Sequence, residues 1–219
     1  MAFILNIETA TKNCSVCLAK DGVAVALAEY AGEGYAHAEK LHVFIEEVLQ
    51  KGGISFKDLT AVAVSMGPGS YTGLRIGVSA AKGLCYALNI PLFAVETLEL
   101  LARKVAIEEG VVIPMIDARR MEVYTAVFDA KCNKVRDTEA EIITSDSFTQ
   151  FEGVIHLLGD GASKCREVLS SERFVYHEEI LYPSANEMAA LSFDSYKKGN
   201  TVDVAYFEPF YLKDFIAGK

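Results

Sequence analysis

The sequence predicts an α/β protein of two tandem lobes, each running strand, strand, strand, helix, strand, helix, and three observations lead there. Hairpins of alternating apolar residues are followed by strands that need helical crossovers, which makes a mixed sheet with helices packed on it. The same order of elements is suggested twice, at low identity, on the two sides of residue 105. In each half an apolar strand also runs straight into a glycine loop, "AVAVSMGPGS" first and "VIHLLGDGAS" second. These observations divide the chain into a lobe over residues 1–105 and a lobe over residues 106–219, with the last helix free to pack back on the first.

Taken in order, "FILNIE" (Phe3–Glu8) is an apolar strand ending in an acid, and "CSVCLAKDGVAVALAEY" is two strands about an Asp21-Gly22 turn. In "YAHAEKLHVFIEEVLQKGG", Ala38, Leu41, Ile45 and Val48 repeat at helical spacing, Phe44 and Leu49 widen the stripe, and Gly52 supplies a stop. "LTAVAVSM" reads as a buried strand. After "GPGSYTGLRIG", a helix from Thr72 to about Leu88 is apolar or small almost all round, with Arg75 and Lys82 as its only charges. Such a helix is covered on more than one side, and Gly73, Gly77 and Ala81, four apart, let another backbone approach. Its outer cover is either the chain's own second half or another protein, and contiguous apolar surface favours another protein. Downstream, "VVIPMID" ends in Asp117, "EVYTAVFDAKCNKVRDTEAEII" is two strands about a turn near Asn133, and "VIHLLGDGASKCREVL" is strand, glycine loop, helix. "PSANEMAALSFDSYKKGN" is a closing helix with Ser184 and Glu187 placed as a capping box and Gly199 at its end. Two such units in tandem are the pattern of the actin-like, ribonuclease-H-like superfamily.

Composition excludes several classes. The chain has 219 residues, 51% of them apolar, and a mean hydropathy of +0.21, enough for a substantial core. No apolar run approaches the roughly 20 residues of a membrane span, and "MAFILNIETATKN" lacks the basic flank of a signal peptide, so a cytoplasmic location away from membranes is expected. A net charge of −9 repels polyanions, which disfavours direct nucleic-acid binding by this chain alone. Five cysteines, an odd count, point to reduced thiols. Cys14 and Cys17 resemble CxxC, but an odd separation on a strand sends them to opposite faces, where they cannot chelate together.

The candidate chemistry is sparse. "GPGSYTGLRIG" carries no GKS or GKT, and Pro68 removes a backbone donor from any anion nest, so Gly67 and Gly69 read as a tight corner with Ser70 or Thr72 capping the helix. His37 and His42 lie five apart, about 140° around a helix, and do not face one metal; His156 and His177 read as isolated. No metal is assigned, and GxSxG and cysteine-protease signatures are missing. An ATP-hydrolysing or phosphotransfer enzyme would have to use Glu8 and Asp117. However, Ala10 stands where a phosphate turn favours Gly or Ser, and Arg119 and Arg120 follow Asp117 where small residues are needed. These arginines fit a hairpin turn, with Asp117 satisfying backbone donors.

Four stretches together, "ILNIETATKNCSVCLA", "GPGSYTGLRIG", "IDARRMEVY" and a terminal "FEPFYLKD", resemble the TsaB (YeaZ) family across essentially the whole chain. The resemblance implies an actin-like fold and a non-catalytic subunit without catalytic residues or cofactor. It implies pairing with the TsaD-type transferase through the first two helices of the N-terminal lobe, with a TsaE-type ATPase in the complex. That complex places threonylcarbamoyl on N6 of adenosine 37 in ANN-decoding tRNAs, and tRNA is reached only through it. On this reading the partner surface comprises Leu41, Phe44, Ile45, Val48, Leu74, Arg75, Gly77, Val78, Ala81, Lys82 and Cys85, and it closes a homodimer when the chain is alone.

Overall fold

A computed structural model describes residues 1–32 and 36–213. Tyr35, which opens the first helical stretch above, and Asp214, the last residue of "FEPFYLKD", lie outside the described residues. The elements in chain order are β1 (Phe3–Glu8), β2 (Cys14–Lys20), β3 (Val23–Tyr30), α1 (His37–Lys51), β4 (Ala61–Gly67), α2 (Tyr71–Leu88), β5 (Leu92–Glu96), α3 (Thr97–Ala102), β6 (Val111–Asp117), β7 (Glu122–Asp129), β8 (Lys134–Ile142), β9 (Ile155–Leu158), β10 (Phe174–His177) and α4 (Ala185–Lys198). The chain divides into two compact units, Met1–Thr97 with Ser184–Lys219, and Leu98–Pro183.

The first unit holds a five-stranded sheet of order β3-β2-β1-β4-β5, with β1, β2 and β3 antiparallel and β1, β4 and β5 parallel. Asp21 and Gly22 both take positive φ, as a two-residue hairpin turn requires. Strand alternation decides which helix covers which face. Leu5, Ile7, Val16, Leu18, Val62 and Val64 pack with Leu41, Ile45 and Val48 of α1 and Val78, Ala81 and Cys85 of α2. The opposite face carries small and polar residues, among them Asn6, Glu8, Ser15, Ala63 and Ser65, and α4 lies on it. There the Ser15 hydroxyl accepts from Ala185 N at 3.0 Å, and Ser184 donates to Glu29 at 2.7 Å. Cys14 belongs to the α1 and α2 core, while Cys17, buried as well, faces the other way.

The second unit holds a sheet of order β10-β9-β6-β7-β8, again three antiparallel strands followed by parallel ones. The α/β class stands, but the second unit lacks two expected helices. Residues 143–154 form turns, because the side chains of Thr144, Ser147 and Thr149 bond the backbone of Asp146 and Thr144 instead of leaving it to a helical ladder. After β9, "GASKCREVL" gives only a 3-10 turn at Ser163–Cys165, followed by β10. α4 belongs with the first unit. Its Ser184 caps Asn186 N at 3.2 Å rather than closing the expected box with Glu187; a complete capping box occurs instead at Ser55 and Asp58.

Candidate functional site

In the first unit, β1 and β4 end side by side, and the glycine loop after β4 turns into α2 at the Ser70 cap. The loop after β1 fills this corner. Ser70 N donates to Ala10 O at 2.6 Å, the Thr9 hydroxyl donates to Gly73 O at 2.8 Å, and Gly73 N is taken by Ser70 Oγ. A side chain on Gly69 would meet Ala10 O, and one on Gly73 would meet Thr9 O, which is why glycine stands at both. On the other side His37, buried at the start of α1, bonds Thr11 O at 2.8 Å, and burial depresses its pKa. The stretch that opened the question of phosphate binding is therefore a corner occupied by the chain's own backbone.

Glu8 lies beneath this corner with no exposed surface. Its Oε1 accepts from Ala10 N at 2.6 Å, while Oε2 and the nearby Ser65 hydroxyl are buried without a closed hydrogen bond. Burial raises its pKa from 4.5 to about 7, against the lowering effect of the Ala10 bond. Glu8 was singled out in sequence as a candidate acid, but the small and polar layer around it was not. Ser65 and Thr9 look like ordinary strand residues until β1 and β4 are paired.

The expected partner surface requires correction. Leu41, Ile45, Val48, Leu74, Gly77, Val78, Ala81 and Cys85 are buried in the unit's own core, because the apolar stripes of α1 and α2 face the sheet. Phe44 is half-buried against the same core. Lys82 donates to the carbonyls of Ala205 and Phe207, and Arg75, exposed, lies 4.3 Å over the Tyr71 ring. The missing outer cover of α2 is in part the C-terminal segment. Val202, Val204 and Phe207 pack on the core, Phe210 N donates to Met66 O at 2.7 Å, and Tyr211 meets Tyr71 with ring centroids 5.1 Å apart. What remains open on α2 is a ridge of small residues, Thr72, Ser79, Gly83 and Ala87, ending at Tyr86, which is 86% exposed; on α1 Val43 is 58% exposed.

In the second unit Asp117 does sit at a hairpin turn, where its carboxylate accepts from Arg119 N at 3.0 Å and pairs with Lys164. Arg119 and Arg120 both take positive φ, completing that turn with exposed side chains. His156 and His177, expected to be isolated, meet with ring nitrogens 3.0 Å apart, because pairing of β9 with β10 brings together residues 21 apart in sequence. All five cysteines are free. Among the described residues no helix is long and apolar enough to cross a membrane.

Comparison with known proteins agrees with this architecture. The Escherichia coli K12 protein named tRNA threonylcarbamoyladenosine biosynthesis protein TsaB is 32% identical over 99% of this chain and 96% of its own length. The chain belongs to the TsaB family. A family model described as TsaD, tRNA N6-adenosine threonylcarbamoyltransferase, also matches residues 33–214, so TsaB-type chains share sequence with that transferase. The structure of YeaZ from Pseudomonas aeruginosa superimposes with a TM-score of 0.85 at 25% identity, covering 97% of this chain and all of that one. At the level of fold alone, the activator of 2-hydroxyisocaproyl-CoA dehydratase from Clostridium difficile, solved with ADPNP, matches with a TM-score of 0.50 at 11% identity over 90% of this chain and 97% of that one. The name of the E. coli protein speaks of biosynthesis and names no reaction of its own.

Proposed function

We propose that this chain is a non-catalytic subunit of the machinery that forms N6-threonylcarbamoyladenosine at position 37 of ANN-decoding tRNAs, and that it binds and activates a TsaD-type transferase. The observation that carries the reading is the filled corner. Where an actin-like enzyme would hold phosphate, Thr9 and Ala10 pack on Gly69 and Gly73, and the adjacent carboxyl of Glu8 is buried with its proton held up to about pH 7. The helix launched from that corner keeps an open ridge of small residues with Tyr86 at one end. Small residues let a second helix approach closely, and an exposed tyrosine is a common anchor in protein interfaces. A partner related in sequence suits pairing of like helices about a quasi-two-fold axis.

The docking residues in this proposal are therefore Val43 on α1 and Thr72, Arg75, Ser79, Gly83 and Tyr86 on α2, rather than the buried stripe. The chain works in the cytoplasm, a TsaE-type ATPase and tRNA engage the assembly, and the same ridge closes a homodimer when the transferase is absent. Gly83 supplies a clean test, because nothing lies within 4 Å of a side chain placed there. Native mass spectrometry of Gly83→Arg mixed with the same organism's TsaD-type subunit should show loss of the heteromeric complex, with the variant's own melting unchanged or raised. Undiminished pairing by Gly83→Arg would place the contact elsewhere, and a wild-type chain that ignores the transferase would sink the functional reading.

A further inference from the structure

In α2, Arg75, Ser79, Lys82 and Tyr86 recur at a spacing of four, three and four, which puts them on one face of the helix. The C-terminal segment runs back along the flank of that face. Lys82 donates to the carbonyls of Ala205 at 3.1 Å and Phe207 at 3.0 Å, and at the start of the helix the ring of Tyr211 meets that of Tyr71. The segment is built rather than loosely laid. Asp203 Oδ1 accepts from the amides of Ala205 at 2.7 Å and Tyr206 at 3.2 Å, and Phe207 N donates to Asp203 O at 2.8 Å. These bonds close a tight turn with Tyr206 at its tip. Val202, Val204 and Phe207 pack on the core, whereas Tyr206 is 84% exposed. With Tyr86, one turn beyond Lys82, it is one of the two most exposed aromatic side chains among the described residues.

We infer that Tyr206 and Tyr86 are paired anchors for the transferase subunit, and that Lys82 and Asp203 are positioning residues that hold Tyr206 on the flank of the α2 ridge. The inference rests on the transferase reading and adds a second wall to that surface, supplied by the C-terminal segment. An ammonium shared between two carbonyls and a turn closed by three hydrogen bonds fix the backbone of a ring that stands mostly in water. Such fixing does little for the chain's own core, but it pre-orders a ring for contact with another molecule. Exposed tyrosines near small residues suit that role, since aromatic rings fill much area at protein interfaces and Ser79 and Gly83 leave room between them. The transferase fits as occupant because its family model matches residues 33–214, which span α1, α2 and this segment alike. A helix related to α2, laid on the ridge, has the segment along its side.

The test is titration of the full chain with the same organism's TsaD-type subunit, read by calorimetry. Tyr206→Ala should weaken pairing about tenfold, while Tyr206→Phe, which keeps the ring, should stay near the parent. Lys82→Met keeps the aliphatic stem and loses only the ammonium; it should weaken pairing about fivefold and speed hydrogen exchange at the amides of Ala205, Tyr206 and Phe207. In the Lys82→Met background, Tyr206→Ala should cost only about twofold more, because the ring is no longer held. Full affinity of Tyr206→Ala beside lost pairing in Gly83→Arg would overturn the anchor and leave the transferase reading standing. The same tenfold loss from Tyr206→Ala in both backgrounds would overturn the positioning role of Lys82. An unmodified chain that ignores the transferase would overturn both readings together.

Discussion

β4 and β9 each run into a glycine loop that leans on the end of a neighbouring parallel strand, yet the two loops lead to different structures. After β4, Gly69 and Gly73 admit the backbone of Thr9 and Ala10, and an 18-residue helix follows. After β9, Gly159 and Gly161 admit the backbone at Met115 and Asp117, and only a 3-10 turn follows. The glycines solve the same steric problem in both places, close contact between the ends of adjacent parallel strands. What differs is the sequence beyond them. "SYTGLRIGVSAAKGLCYAL" supplies five turns of small and apolar residues, whereas "ASKCREVL" stops at the Ser170-Ser171 pair. A glycine loop after a strand thus reports a packing corner, and the helix behind it decides whether that corner presents a surface.

The sharpest way to break this comparison is to put bulk where both loops are tight. Gly73→Val, aimed at Thr9 O, and Gly159→Val, aimed at Met115 O from a backbone with φ near 103°, should each cost about 3 kcal/mol or more in urea unfolding. If either variant stayed as stable as the parent, close approach would not be the reason for glycine there.

Next in size is the buried acid under the first corner. The pKa of Glu8 is raised from 4.5 to about 7 in the folded chain, so folding binds a proton more tightly than unfolding does. Stability from this group is then fully present below about pH 4.5 and is lost as pH rises towards 7, by about 3 kcal/mol in all. Glu8→Gln should remove that slope, stabilising the chain by up to this amount at pH 8 and hardly at all near pH 4. Equal effects at both pH values would show that the carboxyl is not held protonated by burial.

The smallest effect separates the two helix starts on the first sheet. Ser70→Ala and Ser184→Ala each remove an N-cap oxygen, worth about 1 kcal/mol. Ser184 should cost more, because its hydroxyl also donates to Glu29 and lies 3.2 Å from the Ser15 hydroxyl. Thermal melting of the two variants side by side would reveal a reversed order.

Much of the first unit was legible because its signals are local. The Asp21-Gly22 hairpin, the stripe of Leu41, Ile45 and Val48, and the Ser70 cap depend on residues within one element or next to it. The stripe was legible as a face but not as to what it faces. Apolar spacing is the same for a helix on its own sheet and for one on a partner, so only burial showed that Leu41 and Leu74 belong to the core. The second unit was less legible because its Ser and Thr side chains bond the backbone locally, and helical periodicity does not register that competition.

By itself the sequence determined the α/β class, the corner after β4, the absence of a Walker-type phosphate loop and, through four ordered motifs, the TsaB family. These rest on residue type and short spacing, which a linear chain carries. Only the tertiary structure decided that Thr9 and Ala10 fill the corner, that the C-terminal segment covers part of α2, and that His156 meets His177. Each of these joins residues far apart in the chain. Their contact follows from which strands lie side by side, and strand order is set by the balance of the whole core rather than by any one segment.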